Sequence, residues 1–83
     1  MKILIADDEA LSRRLLERTL ERAGYEVTAV ENGKQALEQL YKLDGPRLAL
    51  LDWVMPEVDG PGVCRAIRTR SEQAYVYMVL LTS

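Results

Sequence analysis

A doubly wound α/β fold built on a parallel sheet is predicted by three features of this 83-residue chain. Two apolar runs, Ile3-Leu4-Ile5-Ala6 and Leu48-Ala49-Leu50-Leu51, lack polar alternation, the pattern of strands covered on both faces. Both runs stop abruptly on acids, the first on Asp7-Asp8-Glu9 and the second on Asp52. Segments of helical periodicity separate the strand-like runs, so the chain follows the order β-α-β-α-β-α-β, with right-handed crossovers expected.

Each element has its own signal. Residues 2–6 form the first strand. The first helix is expected over 10–23, with Leu11, Leu15, Leu16 and Leu20 on one face, Arg13, Arg14, Glu17, Arg18 and Glu21 elsewhere, and Gly24 as its stop. A second strand follows over 25–30, and Asn32-Gly33 then supplies a turn or cap. The second helix is expected over 33–43, with Ala36, Leu37, Leu40 and Leu43 inward and Gly45-Pro46 ending it. The third strand occupies 47–52. Pro61 suits a first helical position, and Val63, Cys64 and Ile67 mark a third helix over 61–70. A last apolar strand is expected over 75–82. No linker, repeat or low-complexity segment interrupts this order.

Length and composition exclude several classes. The chain amounts to one small domain, which buries roughly 60–65% of its extended surface, so modest stability is expected. With 11 basic and 13 acidic residues, a net charge of −2 and no basic run, this segment carries no nucleic-acid footprint. The single cysteine, Cys64, excludes an internal disulfide, and its place in a helical apolar pattern favours core packing over reactivity. Met1-Lys2 precedes a short apolar stretch that runs into acids, unlike a signal peptide, and no run is long enough to span a membrane. A cytoplasmic location is therefore expected.

The strand-end acids are the chemical candidates. In open α/β sheets ligands bind at the C-terminal ends of the strands. If the first and third strands are parallel neighbours, Asp7, Asp8 and Asp52 converge on one edge. Crowded carboxylates either raise a pKa or recruit a cation. Hard oxygen donors in a chain without histidine point to Mg²⁺ rather than zinc. For either segment alone, an equally good reading is that Asp8 and Glu9 merely cap and charge the next helix. The two segments together favour a site.

Asp7-Asp8 closing strand one, Asn32-Gly33 before helix two, Asp52 closing strand three, Met55-Pro56 and Asp59-Gly60 after it, and Thr82 closing strand four form a set. In combination they resemble the receiver domain of two-component response regulators, across the whole chain. The resemblance implies a flavodoxin-like sheet of order 2-1-3-4-5 and a phosphoacceptor signalling module rather than an enzyme. Asp52 would accept a phosphoryl group from a sensor histidine kinase, a phosphotransfer protein or a small donor. Asp7 and Asp8 would hold Mg²⁺ together with Asp52 and the backbone carbonyl of Val54. Thr82 would be the switch hydroxyl that moves to the phosphoryl oxygen; its alternative role is the N-cap of a following helix. A downstream output domain is an implied partner. Trp53 would cover the pocket rim or report metal and phosphate binding through its fluorescence. Met55 and Pro56 are expected to set loop geometry, and Gly60 to permit a backbone conformation that other residues avoid.

The chain departs from the family pattern after Thr82. The last α-β-α portion of a receiver, with the lysine that closes its fifth strand, is not in this sequence, and Lys34 and Lys42 fall on or near helix two, away from the strand ends. A fragment of a longer regulator and a domain completed by another chain both fit. The uncharged strand 75–82 is expected to lie at a sheet edge and to favour self-association. Two rivals are a degenerate receiver that binds partners without phosphate and an aspartyl-phosphate hydrolase. The hydrolases resemble a pattern with a second aspartate two positions beyond the first, where this chain has Val54. Asp7-Asp8-Glu9 in place of a glycine-rich loop disfavours dinucleotide binding.

Overall fold

The computed structural model describes residues 1–70 and 75–81. Within them lie strands β1 (Lys2–Ala6), β2 (Glu26–Val30), β3 (Leu48–Asp52) and β4 (Tyr77–Leu81) and helices α1 (Ala10–Arg22), α2 (Gly33–Leu40) and α3 (Gly60–Arg68). The strands make one parallel sheet in the order β2-β1-β3-β4. β1 and β3 are therefore neighbours whose crossovers lead to opposite sides, the point at which a doubly wound sheet opens a crevice. Among the described residues no helix is long and apolar enough to cross a membrane.

Successive strand residues point to opposite faces, so the two sides of the sheet can be separated by register. Leu4 and Ala6 of β1 and Ala49 and Leu51 of β3 belong to one buried cluster with Ala36 and Leu40 of α2 and Val63 and Ile67 of α3. Ile3 and Ile5 are also buried but lie outside that cluster, on the face where α1 packs over β1 and β2.

The helix boundaries follow from caps. Asn32 accepts the Gln35 N–H at 2.8 Å to start α2, and Asp59 accepts the Gly62 N–H at 2.8 Å to start α3, each satisfying an N–H without an intrahelical partner. Gly24, at φ 97°, ends α1 in the left-handed region, as its position after the leucine pattern predicts.

Three expectations are corrected. Helix α2 stops at Leu40 rather than residue 43, and Leu43 is 95% exposed instead of facing inward. Tyr41 packs against the core under the Arg70 guanidinium, 4.2 Å from its ring centre, and the chain then turns. The Arg47 guanidinium closes that turn by donating to the carbonyls of Leu43 at 2.9 Å and Gly45 at 3.1 Å, so these oxygens need no further helix. Leu11 and Leu15, expected inward, are 67% and 59% exposed, and α1 contributes no fully buried residue. The helix lies over β1 and β2, with Leu16 and Leu20 half-buried, and Leu15 borders an open groove of about 460 Å³ toward Leu81 of β4. Strand β4 begins at Tyr77 rather than residue 75.

Candidate functional site

β1 delivers Asp7 and Asp8 directly beyond Ala6, and β3 ends on Asp52. Ala6 pairs with Leu51 across the β1–β3 ladder, so Asp7 and Asp52 stand level at the C-terminal edge of the sheet. One oxygen from each of Asp7, Asp8 and Asp52 falls within 4.8 Å of the others. Burial is graded across the trio: Asp7 is only 6% exposed, Asp52 is half-buried and Asp8 is open to solvent. The carboxylates line a cleft of about 350 Å³ whose other walls include Ser12 of α1, Trp53 and Val54 after β3, and Leu81 at the end of β4.

Hydrogen bonds fix the two strand ends. The Asp7 N–H donates to the Val30 carbonyl at 3.1 Å, extending the β1–β2 ladder by one step. The Asp7 carboxylate accepts the Glu9 N–H on Oδ1 at 2.9 Å and the Ser12 hydroxyl on Oδ2, while Arg13 Nη1 donates to the Asp7 carbonyl at 2.9 Å. On the other strand the Trp53 N–H donates to the Leu81 carbonyl and the Gly60 N–H to the Trp53 carbonyl, both at 3.0 Å. The loop from Trp53 to Asp59 is thereby clipped to β4 at its start and to α3 at its end.

Gly60 plays a different part from the one expected. The left-handed residue in this loop is Glu57, at φ 72°, and not Gly60. A Cβ on Gly60 would stand 2.5 Å from the Asp52 carbonyl oxygen and 2.8 Å from Leu80 Cδ2. The glycine is needed because the N-terminus of α3 approaches the backbone of Asp52 too closely for any side chain.

The carboxyl of Asp52 is pushed above its ordinary value, first by burial and then by the charge and hydrogen bonding of Asp7, with smaller contributions from the charges of Asp8 and Glu9. A divalent cation among these oxygens reverses the balance, because an opposite charge favours the ionised form. The donors are hard oxygens only, and three carboxylates with oxygens within 4.8 Å of one another at a half-open cleft suit a cation that keeps several waters. The residues present therefore fit Mg²⁺.

Trp53 is 46% exposed on the cleft wall, close enough to the acids to cover the rim or sense what binds there. Val54 lines the same cleft with an exposed side chain. Thr82, the expected switch hydroxyl, lies outside the described residues, next to Leu81, which pairs with Asp52 in the β3–β4 ladder. Sequence reasoning missed Ser12 and Arg13. Both lie in the first turn of α1, one turn beyond the acids, among several other polar residues of that helix, and nothing local in the sequence singled them out.

The model of the response regulator receiver domain matches residues 3–83. The chain belongs to that family. Among curated relatives, the probable transcriptional regulator ycf27 of Galdieria sulphuraria is 45% identical over 82 residues, covering 99% of this chain and 31% of its own length. The chemotaxis protein CheY1 of Helicobacter pylori is 33% identical over 84 residues and is itself covered to 68%. The receiver domain of the sensor histidine kinase PA1611 from Pseudomonas aeruginosa superposes with a TM-score of 0.86 at 29% identity, over 98% of this chain and 66% of that one. That receiver holds a magnesium ion coordinated in its active site cleft. The chain spans about a third of the length of the ycf27 regulators it matches. It is thus a receiver domain of the two-component type, with the parallel flavodoxin-like sheet of that family.

Proposed function

We propose that this receiver domain accepts a phosphoryl group on Asp52 from a phosphohistidine of a sensor kinase or phosphotransfer protein, and passes the resulting change of shape to a partner or output domain. The observation that carries the reading is the meeting of Asp7, Asp8 and Asp52 within 4.8 Å at one sheet edge, inside a cleft with room for a phosphoryl group. Asp7, Asp8, Asp52 and the Val54 carbonyl would hold Mg²⁺, which supplies positive charge over the phosphoryl oxygens and keeps Asp52 ionised.

The chain's own residues account for the rest. An Asp52 carboxylate oxygen forms the new bond to phosphorus as the bond from phosphorus to the donor nitrogen breaks, and the imidazole leaves with the electron pair. Asp52 sits at a strand end clipped on both sides, by the Trp53 N–H to β4 and by the close approach of Gly60, so its approach to an incoming phosphorus is held in one direction. The cleft stays open to solvent at Asp8 and Val54, where a donor can enter. Thr82, next along from Leu81, would donate its hydroxyl to a phosphoryl oxygen in the modified state.

Incubation with acetyl phosphate and Mg²⁺ is expected to add a single phosphate, detected by intact mass and labile to hydroxylamine, and to add none when the metal is chelated beforehand. Label retained in Asp52→Asn would sink the assignment. Absence of labelling in the wild type, with partner binding intact, would favour the phosphate-independent receiver instead. The hydrolase reading has no residue to support it, since the position two beyond Asp52 is the exposed apolar Val54.

A further inference from the structure

We infer that Ser12 is a positioning residue for the cation site, acting through Asp7; the inference rests on the reading of the acidic cleft as a Mg²⁺ site. Asp7 is the buried member of the trio, and both of its carboxylate oxygens are engaged by the protein. Oδ1 takes the backbone N–H of Glu9, a donor fixed by the chain. Oδ2 takes only a side chain, the Ser12 hydroxyl, which reaches back from the first turn of α1. Each oxygen keeps a lone pair for a ligand, and the two bonds together set the plane of the carboxylate. Without the hydroxyl, one end of Asp7 is held and the other can swing.

Ser12 stands where a helix would do better with another residue. Serine is a weaker helix former than alanine, and its hydroxyl tends to compete for local backbone bonds. Here it makes no such bond and points into the acidic cleft, where it is a wall of the site and of the adjoining apolar groove. Hydrogen-bond partners of metal-ligating carboxylates orient them, and losing such a partner commonly costs about 10- to 100-fold in metal affinity. The rigid half of the site, Asp7, thus depends on a residue that no strand-end motif contains.

Mg²⁺ titrations of the purified domain, followed by Trp53 emission and by calorimetry, test this with Ser12→Ala, Ser12→Val and Ser12→Thr beside Asp8→Ala. Ser12→Ala and Ser12→Val are expected to weaken Mg²⁺ binding about tenfold, and Ser12→Thr, which keeps the hydroxyl in the shape of valine, to restore most of it. Metal-free melting temperatures of Ser12→Ala should equal or exceed that of the wild type. Wild-type affinity in Ser12→Ala together with a loss in Asp8→Ala would overturn the role of Ser12 and leave the site standing. A fall in metal-free stability of Ser12→Ala that Ser12→Thr restores, with Mg²⁺ affinity unchanged in both, would reduce the bond to a tether between α1 and β1. Absence of saturable Mg²⁺ binding in the wild type would instead remove the cation site itself.

Discussion

The two faces of the sheet are covered to very different degrees, and the difference separates scaffold from site. On the α2–α3 face, Leu4, Ala6, Ala49 and Leu51 are closed over by Ala36, Leu40, Val63 and Ile67, all buried. On the α1 face, Ile3 and Ile5 are buried near the centre, yet Leu50 is half-exposed, Val79 and Tyr77 are exposed on β4, and Leu11 and Leu15 of the covering helix face solvent. Asp52 shares the parity of Leu48 and Leu50 along β3, so the proposed acceptor stands on the open side. The closed face carries the packing among the described residues, and Asp7 and Asp52 lie toward the less covered one.

The sharpest test of this contrast replaces one leucine on each side. Leu51→Ala empties a fully buried site and is expected to cost about 2–5 kcal/mol, a large share of a small domain's stability. Leu15→Ala on the exposed side of α1 should change stability by less than about 0.5 kcal/mol. Urea denaturation of both variants checks the pair, and equal losses would erase the distinction.

Gly60→Ala probes the seam between the covered face and the acceptor. The added methyl meets the Asp52 carbonyl and Leu80, so a loss of about 1–3 kcal/mol is expected, with slower phosphorylation because the Asp52 backbone must shift. Thermal melting and acetyl phosphate labelling read the two effects. Unchanged labelling would uncouple α3 from the site.

The acids on the open edge make the metal-free domain pH-sensitive. The folded-state pKa of Asp52 lies above its ordinary 3.8, so between those values the native state binds more protons than the unfolded chain. This group therefore favours folding at the acid end of that window, and the contribution fades as pH rises through the raised pKa. Asp52→Asn should stabilise the metal-free protein at neutral pH, and Mg²⁺ should narrow the gap between variant and wild type. A wild type more stable than Asp52→Asn at pH 7 without metal would contradict the electrostatic picture.

The smallest effect on stability is expected at the edge strand. β4 ends the sheet among the described residues and carries exposed Tyr77 and Val79, a surface that invites strand pairing between copies. Self-association that grows with concentration is expected, and Val79→Lys should suppress it while altering stability by less than about 0.5 kcal/mol. Sedimentation at several loadings checks this, and a wild type that stays monomeric at high concentration would show the edge to be protected.

How much of this was visible beforehand depended on range. The uninterrupted runs at Ile3–Ala6 and Leu48–Leu51 and the cap at Asn32 are local signals, and they survive into the structure because neighbouring residues alone decide them. Leu11 and Leu15 share a helical stripe with Leu16 and Leu20, yet only the latter pair is half-buried where α1 lies over β1 and β2, a distinction the periodicity does not carry. Gly60 illustrates the same limit: a glycine after a turn suggests a special backbone angle, whereas the cause is a carbonyl that folding brings to 2.5 Å from where its Cβ would lie.

Local periodicity and the abrupt change from apolar run to acid determined the order of elements, the parallel sheet and the three candidate carboxylates, since each is written within a few consecutive residues. That β1 and β3 are neighbours was already implied by the resemblance; tertiary structure alone decided the register that sets Asp7 level with Asp52, that Ser12 reaches back to Asp7, and that one face of the described sheet is more fully covered than the other. While the Ser12–Asp7 bond spans five residues, the register and the unequal cover join residues far apart in the chain. They arise from which apolar surfaces can cover one another, a competition that no local pattern contains.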